Sequence, residues 1–333
     1  MAPVTGEYPS PDSKEQYEAH LKLIDVATPA MGGLLMPDGT WQKLIWQIDT
    51  EFSREVKATA RGAGQVYFPG VHSRKAQLLP LLEAPELWPV AAQNLATLAT
   101  VGSFDAPWDA VVYDMIGVYE HEHYELIREL AAAVKVTGLP FGVSVTGKPP
   151  VTPDNGTVEL LQAVADVCDF FVYYHYCYWN SDIEWQSMQP YQYIIASLGN
   201  ALSFGIRAGC IWLGLANYAH YWPQSDVREF HEITYTQAME LSRQNGGRVE
   251  WVESGPKGLI REKRAAWDTG HIWLQDGDTI TPRLRLVDEY GLAGAMLFCP
   301  GMGDESVWQA IADWKQPKRE RKDCFFRGAN WCA

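Results

Sequence analysis

Along the chain, short apolar runs alternate with segments in which apolar residues recur every three or four positions. The runs are Pro3–Ser10, Leu23–Ala30, Gln65–Gly70, the stretch around Val111–Tyr113, Phe141–Val145, Asp169–Tyr178, Cys210–Leu215 and Gly294–Cys299. Each is rich in β-formers or bounded by turn residues, and reads as a strand. The intervening segments Ser13–Leu21, Gln42–Arg61, Gln77–Leu98, His123–Val136, Thr157–Val167, Tyr191–Phe204, Phe230–Asn245 and Ser306–Trp314 read as helices. In Gln42–Arg61 the apolar positions are Leu44, Ile45, Ile48, Phe52 and Val56, with acids early and Lys57 and Arg61 late, as the helix dipole favours. The turn signal Met36–Trp41 (MPDGTW) precedes it, and Gly62 and Gly64 stop it. Pro80, Pro85 and Pro89 mark turns or helix starts inside Gln77–Leu98.

Eight strands alternating mostly with helices predict an α/β fold, a single (β/α)8 TIM barrel over residues 1–314, followed by a tail at 315–333. The competing fold, an open doubly wound sheet, lacks its Gly-rich phosphate loop here. A barrel of this kind works at the C-terminal ends of its strands. Those ends supply Tyr8, Thr28, Pro69, His72, Asp114, Tyr176, Trp179, Asn217, Tyr218 and Phe298.

The stretch Trp108–Glu122 (WDAVVYDMIGVYEHE) delivers a lone carboxylate at such an end. Side chains alternate along a strand, so Val112, Asp114 and Ile116 share one face and Tyr113 and Met115 the other. Asp114 reads either as a ligand contact or as a buried acid paired with an Arg or Tyr. In the sixth run, Tyr174 and Tyr176 fall on one side, and His175, on the other, reads as a satisfied core histidine. Trp212, in mid-strand, reads as core. The acids of Glu120–Glu125 (EHEHYE) open a helix, where they are favoured in any case, so no metal site is expected.

Composition narrows the partners. The chain has 27 basic and 41 acidic residues, a formal charge of -14, which opposes a nucleic-acid backbone. No apolar run is long enough to span a membrane. The first twenty residues lack a signal-peptide layout, so the chain is expected to be soluble and cytoplasmic as made, unless exported or assembled into a particle. Fourteen Trp and sixteen Tyr suit flat sugar faces as well as a core. No cofactor motif is present. The six cysteines show no metal-ligand spacing. Cys168, Cys210 and Cys299 read as small buried residues. Cys324 and Cys332 flank FFRGANW and either close a loop or remain two free thiols. The tail is basic, then aromatic, and is expected to dock on the barrel or on another copy.

Several segments, taken in order, resemble glycoside hydrolase family 18, the chitinase-like barrels, across nearly the whole chain. VTGEYPS resembles the family's first strand, and LIDVATPA with MPDGTW its second strand and turn. DAVVYDMIGV stands where the family has Asp-Gly-x-Asp-x-Asp-x-Glu. DFFVYYHYCYW, WLGLANYAHYW and GLAGAMLFCPGMGDES resemble the sixth, seventh and eighth strands. The resemblance implies substrate-assisted cleavage, in which a Glu protonates the leaving oxygen while the substrate's N-acetyl group attacks. It places Asp114 as the acid assisting the acetamide and Tyr176 as the Tyr binding it. Ile116, however, takes the place of the proton donor. Val112, Cys177, Phe298 and Ala110 replace the inner Asp, the sixth-strand Asp, the floor Trp and the motif Gly.

An isoleucine gives no proton, and general acid catalysis is worth about 10²- to 10⁴-fold. The expected function is therefore recognition of an N-acetylhexosamine glycan, of chitin or peptidoglycan type, with little or no hydrolysis. Asp114 and Tyr176 would hold the acetamide, and Tyr8, Tyr174, Trp179, Asn217, Tyr218, Trp222 and Phe298 would bind the ligand. Two alternatives stay open. One is an active hydrolase using Asp114 with Glu120 or Glu122 as a relocated acid. The other is a structural or receptor-reading component of a larger assembly such as a phage tail or surface particle.

Overall fold

The structure is a computed structural model that describes residues 2–3, 12–28, 31–43, 51–102, 107–114, 121–146, 162–176, 187, 189–203, 205–223, 231–254 and 260–316 of the 333. Sixteen strands lie within them: β1 Ala2–Pro3, β2 Val26–Thr28, β3 Met31–Leu35, β4 Trp41–Lys43, β5 Val66–Tyr67, β6 Gly70–Ser73, β7 Val111–Asp114, β8 Phe141–Thr146, β9 Phe170–Tyr174, β10 Ile211–Ala216, β11 Ala219–Trp222, β12 His231–Ile233, β13 Arg248–Ser254, β14 Ile260–Trp267, β15 Gly270–Leu274 and β16 Gly294–Phe298. Parallel ladders run β1–β2–β5 and β3–β6–β7–β8–β9–β10–β16. Because β2 leads into β3 and β5 into β6, the two ladders follow one path through eight successive strand positions. Among the described residues no ladder joins β16 to β1, although β1 lies beside β16 with Cα atoms within 8 Å.

The strands are near-continuous apolar runs because both of their faces are covered. Every residue of β7 and of β10 is buried. Amphipathic helices, among them Glu51–Gly62, Trp88–Val101, His121–Val136 and Tyr191–Ser203, cover the outside. The N-terminal ends of the strands are stapled by a repeated device. Asp109, just before β7, accepts the backbone N–H of Tyr67 at 2.6 Å and pairs with Arg61 at 2.8 Å. Asp169, just before β9, accepts the N–H of Phe141 at 2.9 Å and pairs with Lys135 at 3.1 Å. In both cases the cation comes from the last turn of a helix, where the dipole favours it.

The structure departs from the sequence reading in four places. Gln42 and Lys43 belong to β4, which pairs antiparallel with β3, so the helix expected over Gln42–Arg61 is described only as Glu51–Gly62. The helix expected over Phe230–Asn245 is a strand, β12, followed by helix Tyr235–Gln244, which opens with a capping box at Thr234 and Gln237. Between β10 and β16 stand a five-stranded antiparallel sheet, ordered β12-β11-β15-β14-β13, and a helix, Gly277–Glu289. The sheet carries its own small core of Ala219, Ala238, Ala265, Ile272 and Leu274 under helix Tyr235–Gln244. Finally, Cys210 is disulfide-bonded rather than a free buried thiol. Cys168 and Cys299 are buried and free, and Cys177, Cys324 and Cys332 lie outside the described residues, as does the rest of the tail beyond residue 316.

A buried ion pair ties the antiparallel sheet to helix Gly277–Glu289 and to the start of helix Tyr191–Ser203. Arg283, on helix Gly277–Glu289, donates to both oxygens of Glu262 on β14 at 2.8 Å, and also to the backbone carbonyl of Gln189 at 2.7 Å. Glu262 accepts further from the N–H of Tyr191 and the hydroxyl of Ser187. No helix of the described residues is long and apolar enough to cross a membrane.

Candidate functional site

Ladder pairing decides which side chains share the interior. His72 on β6, Asp114 on β7 and Ser144 on β8 are successive partners across two parallel ladders. Ser144 Oγ donates to Asp114 Oδ1 at 2.5 Å, so these two side chains share a face. The alternate residues point the other way. Ser73 Oγ and Tyr113 OH are 2.6 Å apart, and Tyr113 OH lies 2.9 Å from His123 Nε2 on the covering helix. His72, Asp114 and Ser144 therefore form a polar row along the inner wall.

Asp114 is 7% exposed, and Ser144 is the partner its carboxylate has among the described residues. Burial pushes its carboxyl up to about 6, with the Ser144 hydrogen bond opposing. His72 is half-buried, and burial, aided by the Arg74 charge, holds its imidazole below the usual histidine value.

Two strands along, aromatic rings make a floor. Tyr174 and Tyr176 meet with ring centroids 5.1 Å apart, so the two share one environment as period two requires. Tyr176 stacks on Phe298 at 5.7 Å and 19°. Tyr218 sets its edge against both, at 6.4 Å and 6.2 Å. Glycines make the room. A Cβ on Gly214 would sit 2.9 Å from the Tyr174 ring, one on Gly294 2.8 Å from Trp212, and one on Gly142 would overlap the ring of Phe170. At each of these inward positions one strand gives up its side chain to a ring from its neighbour.

Tyr174, Tyr176 and Phe298 thus meet one another, and Asp114 stands at the same, C-terminal end of the parallel strands. Tyr218 is wholly buried and braces the floor from behind. Asn217 is turned against Gly303, with its backbone N–H bonded to the carbonyl of Phe298 at 3.0 Å. Trp222 lies on the antiparallel sheet, across from His271 and stacked on it at 6.3 Å and 17°. On the same face of that sheet His220 pairs with Trp273, and burial holds His220 down to about 3 and His271 to about 4. Glu122 is exposed in the first turn of helix His121–Val136. Tyr8, Ile116, Glu120, Cys177 and Trp179 lie outside the described residues. His175 faces outward, with Nε2 2.5 Å from Ser197 Oγ, a core histidine. Among the described residues no three His, Cys, Asp or Glu side chains are arranged to hold a metal ion.

Sequence reasoning did not single out Ser144, and named His72 only as a strand end. The available signal was a hydroxyl and an imidazole alternating with apolar neighbours in otherwise greasy runs.

No family model matches the chain, and no curated protein does. Solved structures do. The chitinase of Chromobacterium violaceum ATCC 12472 superposes with a TM-score of 0.78 at 15% identity, over 96% of this chain and 99% of that one. The C-terminal domain of a putative chitinase from Desulfitobacterium hafniense DCB-2 gives 0.77 at 16%, over 95% and 98%. The spore cortex-lytic enzyme SleL of Bacillus megaterium QM B1551 gives 0.74 at 15%, over 96% and 74%. At these identities the likeness is one of fold, and the chain has a chitinase-like α/β fold of TIM-barrel type.

Proposed function

We propose that this protein recognises an N-acetylhexosamine glycan, of chitin or peptidoglycan type, with little or no hydrolysis. In this reading residues 1–314 form one closed (β/α)8 barrel, and the glycan enters at the C-terminal ends of its strands. The observation that carries the proposal is Asp114: a buried, inward carboxylate held, among the described residues, by one neutral hydroxyl, at the same end of the strands as the rings of Tyr174, Tyr176 and Phe298. With its carboxyl at about 6, Asp114 is mostly ionised at neutral pH and accepts the N–H of an acetamide. The rings offer flat apolar faces to the sugar. A net charge of -14 suits a neutral ligand better than an anionic one.

An isoleucine at the sequence position where the resemblance puts the proton donor supports recognition over catalysis. Ile116 stands two residues beyond Asp114, where the resemblance puts the acid. Glu120 or Glu122 would have to serve from beyond the strand, where placement is looser. The similar chitinases and the spore cortex-lytic enzyme are named for acting on polymers that fit this ligand class.

The test is to titrate the protein with N-acetylglucosamine oligomers and with peptidoglycan glycan strands while assaying product release. Micromolar-to-millimolar binding without turnover is expected. Turnover abolished by Glu120→Gln or Glu122→Gln would replace this reading with a working glycosidase, and an absence of binding would remove both.

A further inference from the structure

We propose that His72 is a second ligand-contacting residue of the Asp114 pocket, whose imidazole hydrogen-bonds the C3 hydroxyl of the N-acetylhexosamine that Asp114 holds. The inference deepens the proposed function and rests on it.

Three observations lead there. First, His72 and Asp114 are direct ladder partners, so their side chains leave the wall in the same direction from strands about 4.8 Å apart. Two groups so placed address neighbouring substituents of one sugar ring. Second, Ser144 flanks Asp114 on the opposite side and already donates to the carboxylate, so that of the two ladder partners of Asp114 it is His72 that is left to meet a ligand. Third, the His72 imidazole is half-buried and makes no hydrogen bond among the described residues. Withdrawing a polar group from water without giving it a partner costs free energy, which a ligand oxygen would recover.

The chemistry selects which oxygen. An uncharged imidazole offers one N–H donor and one nitrogen acceptor, and burial keeps this one uncharged at neutral pH. The acetamide stands on C2, so the flanking oxygens are those on C1 and C3. In a polymer linked through C1 that oxygen is an ether, an acceptor alone. The C3 hydroxyl both donates and accepts, and so matches the imidazole on both counts. A C3 substituent, such as the lactyl ether of N-acetylmuramic acid, would remove the donor and crowd the ring.

Calorimetric titration of wild type, His72→Ala, His72→Phe and His72→Gln with an N-acetylglucosamine hexamer and its 3-O-methylated counterpart tests this, with melting curves to confirm that each variant folds. Ala and Phe should each weaken hexamer binding about tenfold, while Gln, which keeps a donor and an acceptor, should stay within about threefold. Methylation should weaken the wild type by a similar factor and leave the Phe variant unchanged. If Phe binds like wild type, His72 only fills space and the proposal is overturned while glycan recognition stands. If all three variants bind like wild type, His72 makes no contact. If the wild type itself binds neither ligand, the recognition reading falls and takes this inference with it.

Discussion

Strand β7 is bracketed by two aspartates that live under opposite rules. Asp109, at its entry, has a backbone N–H and the Arg61 guanidinium. Asp114, the last residue of the strand, is buried and has, among the described residues, the hydroxyl of Ser144 as its partner. Asp169 repeats the first arrangement at the entry to β9, and Glu262, buried on β14, carries it furthest, with one arginine nitrogen shared between its two oxygens and two further donors. An acid kept for architecture is supplied with donors in full. One with a single neutral donor among the described residues, at the C-terminal end of its strand, is the carboxylate on which the proposed recognition depends.

The sharpest way to break this contrast is at Glu262. Arg283→Met leaves a buried carboxylate without its cation and should cost about 3–5 kcal/mol in chemical denaturation. A smaller loss would mean that water already reaches the pair.

Asp114→Asn should move stability the other way. The folded carboxyl sits at about 6 against an ordinary 3.8, a difference of about 2 units, or about 3 kcal/mol at 1.36 kcal/mol per unit. The sign follows from proton counting. Between about pH 4 and 6 the folded state binds more protons than the unfolded one, so the Asp114 contribution is fully present below pH 4 and is lost as pH rises through 6. The Asn variant should therefore be more stable than wild type at pH 7 to 8, by up to about 3 kcal/mol, and should lack that part of the pH dependence. Its glycan affinity should fall all the same. In the wild type, affinity should decline as pH drops below 6 and the carboxylate is neutralised. Equal denaturation midpoints for the two proteins at pH 5 and pH 8 would show that Asp114 is not strained by burial.

The smallest effect belongs to the stapling acid. Asp109→Asn keeps an acceptor for the Tyr67 N–H but loses a half-exposed ion pair, and should cost about 1 kcal/mol or less with no change in glycan binding. A binding defect there would erase the distinction between the two ends of the strand.

How much of this was legible beforehand depended on range. The facing of Val112 and Asp114, and the shared side of Tyr174 and Tyr176, follow from a two-residue period and need no tertiary knowledge. Ser144 lies 30 residues from Asp114, and nothing local announces that the two meet. The antiparallel sheet was missed because β14 reads IREKRAAW, whose charges look like a solvated segment until they are paired. Arg264 meets Glu250 across the ladder at 2.5 Å, and Lys263 meets Asp276 at 2.5 Å. Helix Gly277–Glu289 does carry a local signal, the capping box of Asp276 and Thr279. At Gln42 the pairing of β4 with β3 overrode a helical pattern.

The rings that overlie Gly142, Gly214 and Gly294 have a bearing on how this inner wall can change over generations. Trimming Tyr174 opens space over Gly214 in a single step. Filling the space at Gly214 is closed to any single replacement, since even an alanine there collides with the Tyr174 ring and crowds its backbone. Changes along this wall therefore come in an order, in which a smaller side chain at the ring position precedes any side chain at its glycine partner.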